Sequence, residues 1–364
     1  MTNAQTSSGN RFCRWIAATA GLVVVGGWLA GSTSAPAATG SAAIGPVSAG
    51  PVDGFRPAPA DPSRVMGNES CVKCHAAEID VWRRTPHAQT FDTLHRQPEA
   101  KQIAGKLGLR SIKHDGRCVA CHYTTQADPA ANLSAVHAIS GVSCESCHGA
   151  ARDWIEVHAD YGGPGITRET ESPDHRRWRI ESSIARGMHN PTNVYSIARE
   201  CLRCHTTGDE ELVNVGGHTS GSLDFEFVSW SQGTIRHNFV RGGGTNAVAT
   251  PAQRRLMFVA GMMAELEAGL RATAKATAKA TYGVTAAQRT ARTAKRLTSV
   301  AAKIDCVEVD DALRTFESVQ LKLNNAGPLV AAADRIGQIG LYMASHQTGQ
   351  NWAVLDRFIP TGVK

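Results

Sequence analysis

No stretch of this 364-residue chain is apolar for long enough to cross a bilayer. The longest apolar run, Ile16 to Leu29, falls short of the about 20 residues that a spanning helix needs. Aromatic residues make up only 6% of the chain, and no basic stripe interleaves with them, which argues against a nucleic-acid surface. No cysteine follows the apolar run where a lipoprotein signal needs one. Outside four short clusters only Cys13 and Cys306 stand apart, so a disulfide framework has nothing to build on.

The four clusters are copies of C-x-x-C-H: Cys71–His75, Cys118–His122, Cys144–His148 and Cys201–His205. With ten cysteines and fourteen histidines in the chain, chance placement predicts about 0.01 such motifs. The pattern is that of covalent haem c attachment. Cys71, Cys74, Cys118, Cys121, Cys144, Cys147, Cys201 and Cys204 bond the vinyl groups, and His75, His122, His148 and His205 become proximal iron ligands. Eight thiols would also hold two zinc ions, but zinc has no use for a histidine after every second cysteine. Four covalently bound haems are therefore expected. Their propionates bring the formal charge of +6 closer to neutral.

Arg11, Arg14, the apolar run and Ala35-Pro36-Ala37 read as a cleaved signal peptide over residues 1–37. Export outside the cytoplasmic membrane suits haem c, so a periplasmic location is expected, with an uncleaved anchor as the less favoured reading. Residues 38–66, rich in Ala, Gly, Pro and Ser, read as a flexible linker.

Composition divides the remainder. Residues 67–246 carry every motif and thirteen of the fourteen histidines, with few long apolar runs; a tetrahaem cytochrome c domain of short helices and long loops is expected there. Thr85-Pro86 predicts a helix break and restart after the first motif. Residues 250–364 change character. Leu256, Val259, Met263, Leu266 and Leu270 form one helical seam, Leu313, Phe316, Val319 and Leu323 another, and Leu329, Ala333, Ile336, Ile339 and Met343 a third. Residues 272–296 read as a solvated helix, and Asn324 to Pro328 as a helix stop. The fold class expected is mainly α, with the haem domain followed by a C-terminal antiparallel helical bundle serving as core, oligomerisation or docking module.

Ten histidines remain as candidate distal ligands: His87, His95, His114, His137, His158, His175, His189, His218, His237 and His346. Methionine ligation has little to draw on, since only Met66 and Met188 lie near the motifs.

Residues 67–240 resemble the tetrahaem cytochrome c family of ammonia-oxidising bacteria, the electron acceptors of hydroxylamine oxidoreductase. The likeness rests on the first motif followed by Trp82 and Thr85-Pro86-His87-Ala88, on Gly141 to Gly149, and on His158 ten residues after His148. The resemblance implies that His87 ligates the Cys144/Cys147 haem and His158 the Cys71/Cys74 haem. His237 is the nearest match for the fourth haem, with His218 as competitor. The second haem lacks a distal protein ligand in that family, implying either an open site or capture by His218. Residues 250–364 have no counterpart there, and the loop Tyr123–Asn132 also departs from it.

Two functions follow as expectations. The favoured one is a periplasmic carrier passing electrons between donor and acceptor oxidoreductases, with nitrogen-compound metabolism suggested by the resemblance. The alternative is a multihaem enzyme acting on nitric oxide, nitrite or hydroxylamine at an open second haem. Membrane proximity and an oligomer through the C-terminal helices are left open.

Overall fold

The computed structural model describes residues 58–128 and 133–361. The expected signal peptide, most of the expected linker and Cys13 lie outside them.

Caps and prolines decide where the first helices begin. α1 (Glu69–Trp82) carries the first motif and leaves helical geometry at His75, with φ −121° and ψ 36°. Thr85 accepts a hydrogen bond from Ala88 N, and Pro86 opens α2 (Pro86–Thr93), so the break falls where Thr85-Pro86 predicts. α3 (Pro98–Lys106) precedes α4 (Gly116–His122), which holds the second motif and is capped by Asp115.

Within the loop expected after that motif, Thr124–Asp128 is instead a strand, β1, paired antiparallel with β2 (Leu133–Ser140), Thr124 with Ser140 and Gln126 with His137. Short helices resume with α5 (Cys144–His148), α6 (Ile155–Ala159) and α7 (Pro173–Ala185). The third motif makes up the whole of α5. Few apolar side chains are buried in this part. One cluster gathers Ala104, Ile112 and Tyr123, as expected for a stretch too poor in apolar residues to build a large core.

The main core begins at α8 (Val194–His205), which bears the fourth motif at its C-terminal end. Tyr195, Ala198 and Leu202 are fully buried along one face. After α9 (Glu210–Asn214) and α10 (Phe227–Ser231) come α11 (Pro251–Ala274), α12 (Thr281–Ala301), α13 (Val307–Glu317) and α14 (Ala326–His346), of which α11 and α14 pack on α8. Val259, Met263, Leu266 and Leu270 of α11 and Leu329, Ile336 and Met343 of α14 are each at most 0% exposed, so the first and third seams are core. A buried polar knot ties α8 to these helices. Tyr195 donates to Glu267 Oε2 at 2.7 Å, Arg199 Nε lies 3.1 Å from the same oxygen, and Arg271 bridges Glu267 and Asp334. Such a knot adds little net stability but is costly to break on one side only.

Three expectations for this region change. Residues 272–296 are not one solvated helix: α11 ends at Ala274, and α12 then buries Tyr282, Arg289, Thr290, Thr293 and Leu297. Polar residues occupy that face because their groups are satisfied internally, as when Thr290 donates to Ala286 O at 2.7 Å. The seam through Val319 and Leu323 outruns α13, which stops at Glu317. Asn325 and Gly327-Pro328 open α14 rather than close the preceding helix, because proline is tolerated in a first turn. Among the described residues no helix is long and apolar enough to cross a membrane.

Candidate haem-binding sites

Each motif histidine faces one of the expected distal histidines across a nearly constant gap. Ring centroids are 6.3 Å apart for His75 and His158, and 6.2 Å apart for His87 with His205, His122 with His218 and His148 with His237. Two metal–imidazole bonds of about 2.0 Å, each with about 1.1 Å from nitrogen to ring centre, sum to about 6.2 Å. Four pairs at this one spacing, each beside two cysteines, fit four axially ligated haem irons. Among the described residues, no group of three or more His, Cys, Asp or Glu could hold a metal ion, the arrangement a tetrahedral zinc site requires.

The pairing matches the resemblance for His158 and exchanges two other partners. His87 faces His205 rather than His148, and His237 faces His148 rather than His205. The His205 ring also stacks on Phe225 at 4.7 Å and meets Trp230 at 5.0 Å. At the second motif His218 stands opposite His122 across the same gap. His95, His114, His137, His175, His189 and His346 face no motif histidine across such a gap.

Hydrogen bonds fix the imidazole tautomers. The Nδ1–H groups of His148, His158, His218 and His237 donate to the carbonyls of His189, Ile155, Thr219 and Ile235, which leaves each Nε2 with its lone pair free. His205 Nδ1 is 2.9 Å from Ser222 Oγ. Burial also pushes the pKa of His122, His148 and His205 down to about 4, and it lowers those of His87 and His158. The neutral imidazole, the form that ligates metals, therefore prevails at neutral pH.

Backbone contacts set the positions of these rings. Trp82 Nε1 donates to Val142 O at 2.8 Å, and Val142 N donates to His87 O at 3.0 Å. Gly141 lets the chains approach this closely, since a Cβ there would lie 2.2 Å from His87 O. The three elements that carry the resemblance (Trp82, His87 and the Gly141 run) thus touch one another. Thr90 Oγ1 joins them to the second motif by donating to His122 O at 2.8 Å.

Sequence reasoning missed several supporting residues. Glu145, inside the third motif, is buried and accepts from Met66 N, Gly67 N and Ala151 N at 2.8–2.9 Å. It thereby ties the chain before the first motif to the third. His189 N donates to His148 O at 2.9 Å. Arg203, inside the fourth motif, reaches Ala120 O of the second at 2.6 Å while pairing with Glu200 at 3.2 Å. No pattern marks these positions, because the x residues of C-x-x-C-H are unconstrained by the motif itself.

The thiols group the motifs in pairs. Cys71 hydrogen-bonds Cys144, and Cys204 hydrogen-bonds Cys121, which draws the Cys121 thiol down to about 7. α5 also packs on α8, so the motifs form a connected series running first, third, fourth, second.

His158 is held from below by α7. Arg179 donates to His158 O at 2.8 Å and grips Glu171 through two hydrogen bonds of 2.6 and 2.7 Å. This guanidinium, helped by His175, holds the Glu171 carboxyl down to about 2 from an ordinary 4.5. A depressed carboxylate stabilises the fold above its unfolded pKa and loses that contribution as the pH falls through its folded one. Glu171→Gln is therefore expected to lower stability at pH 7, with the gap from wild type closing between about pH 4.5 and about pH 2. Denaturant unfolding at several pH values measures it; a gap independent of pH would refute the assignment.

The family model described as cytochrome c554 and c-prime matches residues 70–149. Over 107 residues the chain is 32% identical to cytochrome c-554 of Nitrosomonas europaea, covering 26% of this chain and 43% of that protein, less than half its length. No solved structure matches the chain. On these matches, the segment holding the first three motifs resembles the tetrahaem cytochrome c family of ammonia-oxidising bacteria.

Proposed function

We propose that the chain is a periplasmic tetrahaem c-type cytochrome that carries electrons between redox partner proteins. The observation that carries this reading is the common spacing of the four histidine pairs. Bound haem supplies a one-electron Fe(III)/Fe(II) couple whose potential follows axial ligation and surroundings. The motif cysteines would anchor each group and the facing histidines would hold it from both sides, so its ligands would not need to change between oxidation states. The contact series of motifs gives a continuous route through the protein. Hydrogen-bonded Nδ1 groups keep the rings oriented and limit reorganisation.

This reading weighs against an enzyme acting on nitric oxide, nitrite or hydroxylamine, because His218 takes the position a substrate would need at the second motif. The signal-peptide reading of residues 1–37 supports an exported location, and the family likeness supports electron traffic from nitrogen-compound oxidation. Mass spectrometry of mature protein is expected to find four haem additions, one on each pair of motif cysteines. The ferric protein is expected to be wholly low-spin and unchanged by nitric oxide or cyanide. Fewer additions, bound zinc, or a native high-spin component would overturn the reading.

A further inference from the structure

A buried ion pair is bonded to the backbone of the fourth motif's histidine. Arg289 of α12 is 3% exposed, and its Nη1 donates to His205 O at 2.9 Å. Its Nε donates to Glu265 Oε1 of α11 at 2.9 Å, while Nη2 is buried without a hydrogen-bond partner. Glu265 is itself 8% exposed and has a second, half-exposed cation, Arg296, at 3.6 Å. Gly221 passes directly over the contact. A Cβ there would lie 2.8 Å from Arg289 Nη1 and 2.6 Å from His205 O. The chain thus leaves room for a guanidinium at this carbonyl, and both charged residues lie outside the stretch that matches the family.

We propose that the Arg289–Glu265 pair sets the reduction potential of the haem held at Cys201, Cys204 and His205. This rests on the reading of that motif as a haem site. Reduction adds one electron at the iron. A fixed cation nearby favours the reduced state, and a fixed anion favours the oxidised one. Arg289 is bonded to the ligand's own residue and Glu265 is one residue further away, so the cation has the larger effect. Asp224 and Arg289 act on the His205 ring with opposite signs, so Asp224 partly offsets the cation. Burial keeps solvent from screening the pair. The α11–α12 hairpin thereby does more than complete the core: it places a charge pair at the fourth site.

The test is a potentiometric titration of the holoprotein with dithionite, followed by absorbance, on four chains of equal haem content. A unit charge about 10 Å from the iron, at an effective permittivity of about 20, changes the oxidised-to-reduced ratio about tenfold. That corresponds to about 59 mV for one electron. Arg289→Met is expected to lower one of the four midpoints by about this amount, and Glu265→Gln to raise the same one. Arg289→Lys, which keeps the charge, should stay close to wild type. Shifts of equal sign in the first two variants, or no shift in Glu265→Gln, would overturn the proposal. A merely structural role predicts loss of stability without opposite shifts in potential. If Arg289→Met does not load haem, the signs of Glu265→Gln and Arg289→Lys decide. A wild type with fewer than four haems would instead defeat the functional reading, and the haem count records that separately.

Discussion

Replacing His218 by alanine is expected to produce a high-spin ferric component of about one quarter of the iron, together with new affinity for nitric oxide or cyanide. The reasoning is geometric. His122 and His218 face each other at 6.2 Å, and His87, the other histidine acting on His122, is committed to His205 at the same distance. Nothing else of the right kind stands opposite His122. The other three sites should keep their low-spin signals, because their ligands come from different segments. His114→Ala serves as control, since His114 pairs only with Ser111 and faces no motif. Electron paramagnetic resonance of the ferric protein reads the outcome. An unchanged low-spin spectrum in His218→Ala would mean that the pairing of His122 is wrong.

The second large effect is on assembly. Glu145→Ala removes the acceptor of three backbone N–H groups, those of Met66, Gly67 and Ala151. A buried donor left without a partner costs about 1–3 kcal/mol; Ala151 N is buried, while Met66 N and Gly67 N are part-buried and cost less, so a loss of about 2–4 kcal/mol is expected. Set against a typical total of about 5–15 kcal/mol, that is enough to lower the yield of holoprotein severalfold. Glu145→Gln, which keeps one good acceptor, should cost less. Thermal unfolding of both variants, with haem content measured alongside, checks the order. Equal stability of wild type and Glu145→Ala would show that the contacts around Met66 and Gly67 contribute nothing.

How far the sequence reaches depends on which physical constraint is local. The motifs are legible because the attachment chemistry demands five adjacent residues. The restart at Thr85-Pro86 is legible because capping and proline geometry are local too. The partners of His87 and His237 are not, since an offset in sequence does not fix which way a ring points. His87 bonds through its backbone to the third motif and turns its ring to the fourth. The strand Thr124–Asp128 was hidden in what reads as a loop, and its partner Leu133–Ser140 lies beyond that loop. α12 was hidden in a polar composition, because threonines that bond their own helix backbone can face a core. Glu145 and Arg203 had no signal at all, being free choices within a fixed pattern.

α8 belongs at once to a cofactor motif and to the main core, and this has a consequence for biogenesis. Its apolar face is closed by α11 and α14, which follow it in the chain by some dozens of residues. Since chains fold largely in the order of their emergence, the fourth attachment site stays open to a maturation enzyme until that late closure. Fast folding of α11 and α14 over α8 would then compete with cofactor ligation at Cys201 and Cys204.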